Sequence, residues 1–184
     1  IIGELSIKNA DEFPKFTGFD RCLYASGGAR VEGAELTATL IEASGFEKLE
    51  GLVTLSSLDN ETYEINAQTF DKVILACGAW LGQTLEPLGF EVDVRPQKGQ
   101  LRDYFFEGLD TGKLPVLMPE GELDIIPFAG GKISVGASHE NDKGFDLTVD
   151  EAILEGLEEE AKIYFPDLST AKSFSERVGT RAYT

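Results

Sequence analysis

Residues 73–77, Val-Ile-Leu-Ala-Cys, form an apolar run without polar alternation, and Gly78, Ala79 and Trp80 follow it. Such a run suits a short parallel strand buried on both faces and ended by a small-residue turn. Leu81, Leu85 and Leu88 then recur at helical spacing as far as Gly89, so the pattern predicts strand, turn and short helix in succession. Upstream, Ile2, Leu5 and Ile7 alternate loosely in a predicted strand over residues 2–8, which Asp11-Glu12-Phe13-Pro14 breaks. Gly27-Gly28 reads as a loop. Leu36, Leu40 and Ala43 with Thr37 and Ile41 predict an amphipathic helix from Glu32, closed by Gly45 at the C′ position. Residues 52–55 and 63–65 flank Leu58-Asp59-Asn60-Glu61, whose Asp-Asn pair favours a tight turn and predicts a hairpin.

Beyond Gly89, residues 92–96 alternate, Gln97-Lys98-Gly99 interrupts them, and residues 101–106 resume the pattern. Pro96 and Gly99 inside so long a strand predict an edge, a bulge or a bend near a ligand. Residues 123–128 and 132–137 read as two strands joined through Ala129-Gly130-Gly131. Thr148-Val149-Asp150-Glu151 has the form of a capping box with Thr148 as N-cap. The helix it opens carries Val149, Ile153, Leu157, Ala161 and Tyr164 on one face, and Pro166 ends it. No internal period repeats. Few helices separated by hairpins predict an α+β fold, a mixed and mostly antiparallel sheet with helices on one side. The segment at Val73 is expected to belong to part of a neighbouring nucleotide-binding α/β sheet.

Composition narrows the function. An apolar content of 42% with 12 phenylalanines places the 184 residues in the globular class, as one domain or one large piece of a longer protein. Only 16 Lys and Arg face 33 Asp and Glu, and a formal net charge of −17 repels both phosphate backbones and anionic membrane surfaces. Cys22 and Cys77 make neither a disulfide framework nor a metal cluster, and the sole histidine, His139, leaves little zinc chemistry. A reducing cytoplasm is the expected compartment. No run approaches the roughly 18 apolar residues of a membrane span. Ile1 in place of an initiator Met and the abrupt stop at Thr184 read as a fragment.

Several residues carry two readings. The Ala76-Cys77-Gly78 turn either aims backbone N–H groups at a phosphate or adenine, or simply packs a helix closely on a strand. Trp80 suits a core aromatic equally well, and Cys77, with no histidine nearby in sequence, reads as an inert thiol rather than a nucleophile. His139, between Ser138 and Glu140, reads as a turn residue. Lys172, Arg177 and Arg181 are basic residues near an acidic chain's end. An arginine there is either a bidentate clamp for a carboxylate or one half of a salt bridge. No Ser/His/Asp set, Walker sequence or Cys/His metal spacing occurs, and no catalytic residue is assigned.

Taken in order, the motifs carry a resemblance. Gly28-Ala29-Arg30-Val31-Glu32-Gly33 precedes a helix, Asp71-Lys72-Val73-Ile74-Leu75-Ala76-Cys77-Gly78-Ala79-Trp80 follows, and Arg95-Pro96-Gln97-Lys98-Gly99-Gln100 comes next. Ile133-Ser134-Val135-Gly136-Ala137-Ser138, Gly144-Phe145-Asp146, Phe165-Pro166-Asp167-Leu168 and Gly179-Thr180-Arg181 complete the series. This order resembles the FAD-dependent D-amino-acid oxidase superfamily, and is most similar to its glycine oxidase, sarcosine oxidase and D-amino-acid dehydrogenase branch.

The resemblance implies a two-domain flavoprotein of which residues 1–184 are a fragment. About residues 26–89 would include segments packing in or against the FAD-binding domain, and about residues 90–184 would be the substrate-binding domain. Ala76, Cys77, Gly78 and Trp80 become candidate FAD contacts, and Arg181 a candidate ligand for the substrate carboxylate. The implied reaction is hydride transfer to flavin from the carbon beside the amine of an amino acid or secondary amine, followed by imine hydrolysis. The small-molecule substrate is the expected partner. This chain contains no Gly-x-Gly-x-x-Gly, so the fragment alone is not expected to bind FAD tightly and is expected to be inactive, while Ala182, where many relatives have proline, bears on the aim of Arg181. Two alternatives stay open: a flavin-dependent hydroxy-acid or glycerol-phosphate dehydrogenase relative, and a non-catalytic binding or scaffold domain.

Overall fold

The computed structural model describes residues 3–57 and 62–184. Along the chain lie β1 (Leu5–Asn9), β2 (Arg21–Ala25), α1 (Gly33–Ser44), β3 (Leu55–Ser57), β4 (Tyr63–Ile65), β5 (Gln68–Phe70) and α2 (Leu81–Leu85). They are followed by β6 (Arg95–Phe105), β7 (Asp124–Phe128), β8 (Lys132–Gly136), α3 (Glu151–Tyr164) and β9 (Ser173–Tyr183). The strands make three sheets: the β1-β2 hairpin, the meander β3-β4-β5, and a four-stranded sheet in the order β7-β8-β6-β9. The expected mixed α/β architecture with antiparallel pairing and few helices is what forms.

The chain divides into two compact units. The first comprises Ile1–Val31, Lys98–Glu140 and Leu147–Gly179; the second comprises Glu32–Gln97, Asn141–Asp146 and Thr180–Thr184.

In the first unit, alternation decides which side chains enter the core. The registers Tyr104↔Ile133, Arg102↔Val135 and Ile125↔Val135 put Tyr104, Ile133, Val135 and Ile125 on one face, where they are buried with Ala161 of α3, Phe165 and Phe16. The β7-β8 turn is the predicted one, with Gly130 and Gly131 at φ 79° and 80°. Helix α3 also stops where expected, since Pro166 cannot continue it.

Four expectations need correction. Gln97-Lys98-Gly99 does not interrupt the chain: β6 is continuous over 11 residues and lies between β8 and β9, not at an edge. Its polar side chains reach partners along the strand, Pro96 precedes the stretch registered with β8, and the bridge Lys98↔Glu140 extends the pairing. Residues 73–77 form no strand, because a strand needs a hydrogen-bonded neighbour and none of the described strands pairs with them. Nor are both faces buried, for Ile74 is 93% exposed. Thr148 is not the N-cap of α3. Asp150 holds that position, its N–H donates to Gln100 Oε1 at 2.7 Å, and the Thr148 carbonyl accepts from Lys98 Nζ. Within α3 the fully buried positions are Leu154 and Ala161. β2 and β9 were not predicted at all. The expected turn at residues 58–61, like Ile2, lies outside the described residues; its flanks pair as Leu55↔Ile65 to Ser57↔Tyr63.

Arg102 joins three elements of the first unit. Only 4% exposed, it donates Nε to Glu176 at 3.0 Å, Nη1 to Glu158 at 3.1 Å and Nη2 to Glu151, and its guanidinium lies 4.6 Å from the centre of the Phe174 ring. Tyr104 donates its hydroxyl to Glu158 at 2.8 Å. Burial alone would raise the Glu158 pKa, but hydrogen bonds from Lys162, Tyr104 and Arg102 outweigh it and hold the carboxyl below its ordinary value. Burial and the adjacent Glu158 push the Tyr104 phenol up.

Arg102→Met removes a buried cation from three carboxylates, and urea titration at neutral pH is expected to show a loss of about 3 kcal/mol. A carboxyl with a lowered folded pKa stabilises above its unfolded pKa and loses that contribution as pH falls through the folded value. Acidification should therefore cost the parent protein more stability than the variant; equal losses would mean that Arg102 does not hold Glu158 ionised. In the hairpin, a Cβ at Gly131 would meet the Phe106 carbonyl oxygen at 2.3 Å, whereas at Gly130 it would meet nothing within 4 Å. With matched φ values, Gly131→Ala should destabilise by at least about 1 kcal/mol more than Gly130→Ala, and equal midpoints in urea would refute the clash.

Candidate functional site

All five sequence-nominated residues fall in the second unit. Its local geometry starts from Gly78, whose φ of 54° lies in the left-handed region that side chains disfavour. A Cβ there would meet nothing within 4 Å, so the glycine answers a backbone requirement beside open space. The reversal lets the Trp80 N–H donate to the Cys77 carbonyl at 3.0 Å, and a 3₁₀ turn over Gly78–Trp80 leads into α2. Ala79 is buried beneath it. Gly89, again left-handed at φ 79°, closes the following turn as expected.

Trp80 is not a core aromatic. Half exposed at 49%, it stacks on Phe145 with ring centres 4.8 Å apart and planes 27° apart. Cys77 is a partly buried free thiol. Before the turn, Val73, Leu75 and Cys77 are partly covered while Ile74 and Ala76 are exposed, giving the segment one covered and one open side.

Arg181 projects from the end of β9, and its Nε donates to Gln97 Oε1. Gln97 Nε2 in turn donates to Asn141 Oδ1. Nearby in the same two strands, the Arg95 guanidinium lies 5.5 Å from the centre of the Tyr183 ring and 3.1 Å from Asp93. Arg177 behaves differently. It grips Asp103 bidentately, Nε to Oδ2 at 2.8 Å and Nη2 to Oδ1 at 2.9 Å, and Ser134 donates its hydroxyl to the same carboxylate. For Arg177 the salt-bridge reading therefore holds.

His139 does not sit in the expected turn: it lies between Ser138, whose N–H donates to the Gln100 carbonyl, and Glu140, which bridges to Lys98, and its Nδ1 is 3.2 Å from Glu122. Burial pushes the Asp124 carboxyl up, against an opposing pull from His139. Among the described residues, no group of three or more His, Cys, Asp or Glu could hold a metal ion, and no helix is long and apolar enough to cross a membrane. The residues that sequence reasoning missed are Gln97, Asn141 and Phe145. Gln97 was visible as a polar residue inside a long strand, yet it read as an interruption because its partners lie 44 and 84 positions away.

Comparison with known proteins adds the evolutionary frame. The model of the FAD dependent oxidoreductase family, DAO, matches residues 4–184. The uncharacterized oxidoreductase YurR of Bacillus subtilis is 32% identical over 198 residues, an alignment that covers 100% of this chain and 52% of that protein. A glycine oxidase of Pseudomonas aeruginosa is 31% identical, over 89% of this chain and 47% of its own length. Among solved structures, iminodiacetate oxidase (IdaA) from Chelativorans sp. BNC1 superposes with a TM-score of 0.86 at 27% identity, over 96% of this chain and 51% of that one. The chain thus spans about half the length of the relatives it matches. With a family match over nearly every residue, the chain belongs to the FAD dependent oxidoreductase family.

Proposed function

We propose that this chain is part of an FAD-dependent oxidoreductase acting on the CH–NH bond of an amino acid or secondary amine, and that it supplies mainly the substrate-binding part. The observation that carries the reading is Arg181, anchored by Nε on Gln97 within the same compact unit as the left-handed Gly78 turn. Glycine and iminodiacetate, named in two of the relatives, share a carboxylate one carbon from the amine nitrogen. An arginine is the natural ligand for that carboxylate, since its planar fork matches the two oxygens.

The residues present fit part of a flavin nucleotide surface. The open side of Ile74 and Ala76 is apolar, the Gly78 turn leaves room for close approach, and Trp80 offers a half-exposed ring. In this reading Ala76, Gly78 and Trp80 would line the nucleotide, and Cys77, whose side chain lies on the covered side, would contribute only its backbone. Leu36, Leu40 and Ile41 of α1 are exposed as well, which supports a role for about residues 26–89 in packing in or against a dinucleotide-binding part. When bound, FAD would supply hydride acceptance from the carbon beside the amine, and water would hydrolyse the resulting imine. The part played by this chain is binding and orientation: Arg181 holds the carboxylate, and the Trp80-Phe145 pair excludes water on its own side.

In the full-length protein, flavin absorbance should accompany purification and bleach on anaerobic addition of glycine, iminodiacetate or an N-methyl amino acid. Absence of bound flavin overturns the proposal, and bleaching by glycerol phosphate or a hydroxy acid alone would reassign the substrate class. Arg181→Ala should raise KM for carboxylate-bearing substrates tenfold or more, about the loss of one charge-assisted pair, with the flavin spectrum unchanged. Parallel loss of flavin and substrate affinity would make the arginine structural instead.

A further inference from the structure

Arg181 can bind a carboxylate productively only if its guanidinium is aimed, because a long, freely rotating side chain spends much of its binding energy on being ordered. The sheet supplies the aim. Arg95 with Tyr183 and Gln97 with Arg181 contact each other across β6 and β9 in opposite senses along the two strands, which sets the Gln97 amide beside the arginine. Gln97 is only 6% exposed, so both ends of its amide need partners. Arg181 can only donate and therefore takes the amide oxygen, while Asn141 Oδ1 accepts from the amide nitrogen. Each contact excludes the flipped amide, in which two N–H donors would face one another at Arg181.

The chemistry of the acceptor matters too. Asp103 meets Arg177 with a full negative charge, whereas Gln97 meets Arg181 with a neutral carbonyl. A neutral acceptor fixes the Nε direction, and with it the plane and the Nη edge of the guanidinium, without adding an anion that competes with an incoming carboxylate. We propose that Gln97, held in place by Asn141, is a positioning residue that aims Arg181 at the substrate carboxylate. The inference rests on the carboxylate reading of Arg181.

The test uses the full-length flavoprotein, with acetate as a carboxylate probe titrated by calorimetry and an amino-acid substrate for steady-state kinetics. Gln97→Ala is expected to weaken acetate binding and raise KM about tenfold, the effect of one hydrogen bond to a charged group, while kcat stays within about twofold. Asn141→Ala, at an exposed position that does not endanger folding, should shift both in the same direction by about threefold. Because Gln97 acts through the arginine, Gln97→Ala added to Arg181→Ala should produce no further loss, a non-additivity that a general structural role would not create. Full additivity would overturn the inference, as would unchanged acetate affinity in both the Gln97 and Asn141 variants while Arg181→Ala loses it. Unchanged acetate affinity in Arg181→Ala itself would instead overturn the carboxylate reading, and the positioning role with it.

Discussion

Strand β6 buries Gln97, Lys98, Gln100, Arg102 and Asp103, and each of these polar groups has to find a partner or cost more than its burial returns. The partners are spread over the chain. Lys98, Gln100, Arg102 and Tyr104, alternate residues of one face, engage Thr148, Asp150, Glu151 and Glu158 in succession, so this face tracks the approach to α3 and then the helix itself. Glu140 is drawn in by Gln100 Nε2 at 2.6 Å and Ser138 Oγ at 2.7 Å, and its second oxygen lies 3.8 Å from Lys98 Nζ. On the opposite face, Asp103 and Gln97 hold the two arginines of β9. One strand thereby determines where a helix, a loop and a neighbouring strand come to rest.

The same constraint separates two uses of arginine. Arg102 and Arg177 are bound by carboxylates, an arrangement whose loss is costly because a buried charge is left without its counterion. Arg181 donates Nε to the neutral side-chain amide of Gln97.

The second unit has a different energetic character. Apart from Ala79 and Gln97 it buries little, while Ile74, Trp80 and the apolar positions of α1 stay open. The chain spans about half the length of its relatives, and this apolar surface is uncovered among the described residues. The Gly78 turn belongs to this open region. Its backbone is already shaped, with left-handed φ and clear space on the side a Cβ would occupy.

Sequence by itself determined the features that depend on neighbours a few positions away, together with the family. Gly45 and Gly89 end their helical segments, Gly130-Gly131 turns the β7-β8 hairpin, and Pro166 stops α3, because each is a local backbone preference. The ordered motifs from Gly28 to Arg181 likewise pointed to the flavoprotein family that matches residues 4–184. Tertiary structure decided the rest. β9 is mostly polar and carried no strand signal of its own; it becomes a strand beside β6. Thr148 gave up its expected cap when its carbonyl met Lys98, and residues 73–77, apolar as they are, pair with none of the described strands. Gln97 looked like a break, yet it lies inside continuous β6 and accepts a hydrogen bond from Arg181 Nε. The physical reason is common to all four: pairing and side-chain satisfaction are set by groups tens of residues distant, and a local pattern of polar and apolar positions holds no information about which of them will arrive.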